Sequence, residues 1–202
     1  MAADGSREQK SSLSKGVTWE PYPMKMAWIV FTVSTAVIIY LIKPVMEGKF
    51  FWLAGKGIPA GSPETYATKL EFTVKYWLLP LIWFKVNIWL VITKRISSQA
   101  INPLSGHEDI VEPVRNILSN TLEQMVGSLV MQSSLIAFLS NAEVMKLIPI
   151  INILFFLGRI TFWLGYPRFR TFGFVLTDFP TTLGLFATAY LCLTNHFGLV
   201  VF

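Results

Sequence analysis

The stretch "NTLEQMVGSLV", Asn120 to Val130, opens an apolar run long enough to cross a bilayer, yet it carries an amide and a carboxylate, Asn120 and Glu123. Arg115 stands just outside the run. An ionised side chain facing lipid costs at least ~2.5–3.5 kcal/mol. Asn116, Asn120, Glu123 and Gly127 fall at i, i+4, i+7 and i+11, so they share one helix face. That polar stripe is expected to look inward, with Gly127 allowing a neighbour to approach closely.

The rest of the chain supports a membrane setting. Its 202 residues are 53% hydrophobic and only 14% charged, with a mean hydropathy of +0.53. Soluble domains seldom combine so few charges with so many aromatics. Five apolar runs are visible: Met26–Ile42, Tyr76–Ile92, Ile117–Ala142, Leu147–Tyr166 and Phe179–Phe202. The expected fold is an all-α membrane protein with five transmembrane helices. Residues 1–23 read as a short cytosolic tail, 24–43 as an extra N-terminal helix and 44–71 as a lumenal or extracellular loop. The "FFWL" at 50–53 suits either the headgroup zone or a helix contact. The last helix has two candidate starts: Asp178 as a cap before Pro180, or a point near Phe172 with the proline inside.

Charge sets orientation and excludes other classes. The formal net charge of +5, without a basic stripe interleaved with aromatics, points to lipid headgroups rather than nucleic acid. Nine Lys and Arg residues fall on the N-terminal side of the spans and six on the other. The excess favours a cytosolic N-terminus. The single cysteine, Cys192, rules out an internal disulfide. His107, beside Glu108 and Asp109, reads as part of a solvated acidic turn rather than a metal site, and Ser133 and Ser134 as packing residues.

Depth links the intramembrane charges. Counted from the cytosolic ends of their helices, Lys85, Glu123 and Arg159 lie roughly 10–14 Å below one face. Asn87 and Asn120 fall near that level. A shared structural cluster of Lys85, Asn87, Asn120, Glu123 and Arg159 is therefore expected, with Glu123 and Arg159 as its ion pair. The cluster is compatible with a register-fixing pair, a ligand site or a conduction path.

Two segments carry a family resemblance. "NTLEQ" at 120–124 and "GRITFWLGYPRFRTFGF" at 158–174 resemble signatures of the membrane-associated eicosanoid and glutathione metabolism (MAPEG) superfamily, over about residues 72–202. The resemblance implies a four-helix unit, a homotrimer and a glutathione site near the cytosolic face. It maps a degenerate glutathione pocket onto Asn120, Glu123, Arg159, Tyr166 and Arg170. The family's usual arginine, first tyrosine and catalytic arginine fall here at Asn116, Phe162 and Gly173. "FRTFGFVLTDFP" at 169–180 looks most like the mattrin branch of that superfamily. That likeness implies a non-catalytic protein of Golgi, lysosomal or other secretory membranes, engaged in trafficking or membrane-receptor regulation. The alternative it implies is a glutathione-dependent transferase or peroxidase acting on lipophilic substrates. A third reading is a small lipid-binding protein.

Overall fold

The computed structural model describes residues 24–47, 49, 57–102, 104 and 106–197. The tail over 1–23 and the "FFWL" patch lie outside the described residues. Among the described residues, five α-helices form a packed bundle: α1 (Met24–Met46), α2 (Tyr66–Ile96), α3 (Glu112–Leu135), α4 (Asn141–Gly165) and α5 (Arg170–Phe197). Two short 3-10 turns, Gln99–Ile101 and Glu108–Ile110, lie between α2 and α3.

Among the described residues, three helices are long and apolar enough to cross a membrane: Tyr66–Ile96, Asn141–Gly165 and Arg170–Asn195. Trp28–Pro44 of α1 is a shorter apolar stretch. These segments suggest a multi-pass membrane protein. The fifth helix, α3, is not among the apolar candidates, because Arg115, Asn116, Asn120, Glu123 and Gln124 dilute its first half. The distribution of polarity agrees with a lipid-facing exterior. Trp28, Tyr40, Trp89, Val130, Leu164 and Phe186 are exposed, while Asn87, Gln132, Asn152 and Arg159 are buried. Burying these polar groups while presenting large apolar ones suits a bilayer as solvent.

Helix ends differ from the apolar runs where a helix starts in polar sequence. α2 begins ten residues before Tyr76, because the Thr65 side chain accepts the Thr68 amide and caps the first turn. α4 begins at Asn141 through a reciprocal capping box: Ser140 accepts the Glu143 amide and the Glu143 carboxylate accepts the Ser140 amide. α3 accordingly ends at Leu135, short of Ala142. α5 starts at Arg170, so Asp178 and Pro180 are both interior, which decides between the two candidate starts in favour of the longer helix.

Packing follows from these lengths. Ile38 of α1 meets Ile150 and Leu154 of α4 and Val175 and Leu176 of α5. Phe72 of α2 joins Ile136, Val144 and Ile148. The closest approach is between α4 and α5. A Cβ added at Gly158 would lie 2.9 Å from the Gly173 carbonyl oxygen, and one added at Gly173 would collide with the Phe162 backbone. These two glycines let the helices approach almost backbone to backbone.

Candidate functional site

Four of the five residues proposed for the pocket line one cavity. It has a volume of about 520 Å3 and is lined by Asn116, Ser119, Asn120 and Glu123 of α3, Phe162 of α4, Tyr166, and Arg170, Thr171 and Phe174 of α5. Asn120, Glu123, Tyr166 and Arg170 thus converge, although 50 residues separate the first from the last. The cavity lies where α3 begins, α4 ends and α5 begins.

The fifth residue, Arg159, is fully buried behind this wall. Its Nη1 donates to Asn120 Oδ1 at 2.8 Å, and its Nη2 donates to Thr177 Oγ1. Its guanidinium stands 4.6 Å from the Phe162 ring centroid and 5.9 Å from that of Phe155. Stacking continues outward: Phe162 and Tyr166 are 6.0 Å apart, and the Arg170 guanidinium is 5.8 Å from the Tyr166 ring. Phe155, Arg159, Phe162, Tyr166 and Arg170 therefore form a run of three rings and two cations from the interior to the cavity rim. Arg159 Nε has no hydrogen-bond partner among the described residues. Asn120 is the hinge of the arrangement, since it both lines the cavity and accepts from the buried cation.

The expected ion pair between Glu123 and Arg159 is not formed. No ion pair among the described residues joins them, and Glu123 is exposed. The carboxylate whose charge acts on Arg159 is Asp178. Asp178 accepts from Gln124 at 3.3 Å and lies 3.5 Å from the Thr182 hydroxyl. The physical reason is azimuth. α3 buries Ile117, Thr121, Met125, Ser128 and Gln132. The stripe of Asn116, Glu123 and Gly127 lies on another face and is exposed, contrary to the expected inward orientation. An added Cβ at Gly127 would meet nothing within 4 Å, so no close approach occurs there within the chain.

Lys85 and Asn87 do not join Arg159 either. Lys85 is exposed on α2. Asn87 is buried but donates to Trp83 O of its own helix at 2.8 Å. Two residues on one helix two positions apart point some ~200° from each other, so they cannot face one centre. Arg115 turns to the loop instead. It lies 3.4 Å from Glu108, which also receives Arg95 in a two-toothed contact of 2.7 and 2.9 Å. Glu108 is therefore ion-paired rather than simply solvated, and the Arg95 hydrogen bonds hold its carboxyl below the usual carboxylate range.

A second polar centre went unread in the sequence. Gln132 Oε1 accepts from Asn152 Nδ2 at 2.8 Å and from Trp77 Nε1 at 3.2 Å, while Gln132 Nε2 donates to Ser128 Oγ at 3.0 Å. It joins α2, α3 and α4. Its only sequence signal is that Ser128 and Gln132 are four residues apart on α3.

No protein-family model, no curated protein and no solved structure matches the chain.

Proposed function

We propose that the chain is a non-catalytic integral membrane protein of MAPEG type, with five spans, residing in secretory or endolysosomal membranes with its N-terminus in the cytosol. Its role is in trafficking or in regulating membrane receptors, as in the mattrin branch. The observation that carries the MAPEG-type reading is the convergence of Asn120, Glu123, Tyr166 and Arg170 on one cavity, backed by Arg159 through Asn120.

The cavity offers one carboxylate, one guanidinium, two amides and a phenol. That set suits a small zwitterion with both charge signs, and glutathione is the ligand the resemblance names. Chemistry on that ligand is another matter. Activating a thiol needs a nearby cation or donor. Phe162 has no hydroxyl, and Gly173 is packed against the Phe162 backbone, where an arginine side chain has no room. The residues that remain hold a ligand better than they transform one. Homotrimeric assembly fits the outward polar face of α3 and the exposed Lys85, which copies of the chain would cover.

The second reading, a glutathione-dependent transferase or peroxidase, is favoured by the same cavity and separated by one experiment. Full-length protein in nanodiscs is titrated with glutathione and assayed with an electrophilic test substrate. The proposal expects saturable binding, weakened in Glu123→Gln, without turnover. Turnover above the background of empty nanodiscs would overturn it in favour of the enzyme. Absence of glutathione binding would remove the pocket assignment.

A further inference from the structure

A second cavity lies between α1 and α5. Its volume is about 510 Å3, within the range of sites for drug-sized ligands. Its walls are Trp28 and Phe31 of α1 and Phe174, Val175 and Phe179 of α5, and the charged residue among them is Asp178. The aromatic rings form a connected set. Trp28 and Phe31 meet edge to face at 6.1 Å, and Phe31 and Phe179 do so at 6.2 Å.

Asp178 has capacity to spare. A carboxylate offers about four lone-pair sites. Those of Asp178 meet only Gln124 at 3.3 Å and Thr182 at 3.5 Å among the described residues, both long for contacts to a charge. Among the described residues Arg159 forms no ion pair with Asp178, being committed to Asn120 and Thr177. A carboxylate flanked by aromatic faces is the recognised chemistry for an organic cation. The remaining wall is mostly apolar, with the hydroxyls of Thr171 and Thr182 as its other polar groups, and Trp28 is 65% exposed, so the groove opens toward the lipid side of the bundle.

We propose that the groove between α1 and α5 binds a single-chain cationic amphiphile, a long-chain alkylamine whose ammonium group meets Asp178 and the rings of Trp28, Phe31 and Phe179 while its chain runs along the lipid-facing side. The proposal goes beyond the glutathione pocket and does not depend on it: its head-group residue Asp178 and both α1 aromatics lie outside the first cavity. Thr171 and Phe174 line both cavities, so Phe174 separates the amine site from the zwitterion site.

The test uses full-length protein in nanodiscs and three diazirine-bearing probes of equal chain length: an alkylamine, an alcohol and a carboxylic acid. The amine is expected to label the peptides holding Trp28, Phe31 and Phe179 about tenfold more than either competitor, as suits a charge-assisted contact. Asp178→Asn reduces amine labelling to the alcohol's level. Trp28→Ala, at an exposed position that leaves the fold intact, reduces amine labelling about threefold, the scale of one cation–π face. Equal labelling by all three probes overturns the proposal, as does undiminished amine preference in folded Asp178→Asn. If Asp178→Asn does not fold, the Trp28→Ala result decides, and unchanged labelling there overturns it.

Discussion

The layer around Arg159 and the layer around Gln132 are built between the same two helices, α3 and α4, yet one opens on a cavity and the other is sealed. Arg159 and Asn152 stand seven residues apart on α4, about 10 Å along the axis. In the inner layer three neutral side chains from three helices satisfy most of one another's hydrogen bonds, with Gln132 and Asn152 fully buried. In the outer layer a full charge is held by an amide, a hydroxyl and two aromatic faces, and the amide carries the connection onward to the cavity. Neutral amides can close on themselves. A buried cation needs more partners than one helix contact supplies, so the structure near it stays polar and open toward the rim. The inner layer therefore reads as register and the outer layer as site.

That contrast can be broken most forcefully at Arg159. Arg159→Met removes two charged hydrogen bonds and the stacking on Phe162, and is expected to cost roughly 2–4 kcal/mol. Thermal unfolding in detergent measures it; an unchanged Tm would mean that the cation is dispensable to the outer layer. A smaller loss is expected in the inner layer. Gln132→Leu strands the Trp77 indole and one Asn152 bond, for about 1–2 kcal/mol. Adding Asn152→Leu should recover part of that loss, because removing both partners leaves fewer orphaned groups. A strictly additive double variant would contradict a closed amide layer.

Glu123→Gln sharpens the comparison from the other side. Glu123 is exposed and in no ion pair among the described residues, so stability should change by no more than about 0.5 kcal/mol. Glutathione affinity, read by calorimetry on the same protein, should fall about tenfold. The smallest effect concerns the loop beyond both layers. Glu108 is held below the usual carboxylate range by Arg95, with Arg115 adding to the effect. Its contribution is therefore present above the unfolded carboxylate pKa and is lost as pH falls through the lowered folded value. Hydrogen exchange of residues 97–111 should accelerate on acidification below that range, and Glu108→Gln should show the faster exchange already at neutral pH.

The helices were legible wherever an apolar run marked them. Their ends were not, because α2 and α4 begin in polar turns held by Thr65 and Ser140, and such turns look like loop to a hydropathy reading. Depth along the helices correctly grouped Asn120 with Arg159. It could not supply azimuth, and so it paired Arg159 with Glu123 and drew in Lys85 and Asn87. Three residues on a helix separate Asn120 from Glu123 by ~60° of rotation, enough for one to reach the buried cation and the other to face the cavity. Gln132 and Asn152 drew no notice because a neutral amide costs too little in an apolar run to stand out. Tyr166 and Arg170 were grouped with Asn120 and Glu123 through the family resemblance alone, and the four line one cavity.

The orientation of α3 carries the account, and cysteine accessibility tests it most directly. In a Cys192→Ser background, Glu123→Cys and Thr121→Cys are each treated in nanodiscs with a small hydrophilic thiol reagent. Rapid modification of Glu123→Cys, slowed by glutathione, with Thr121→Cys protected, is the predicted result. Protection of Glu123→Cys together with rapid modification of Thr121→Cys would turn the helix around and contradict it.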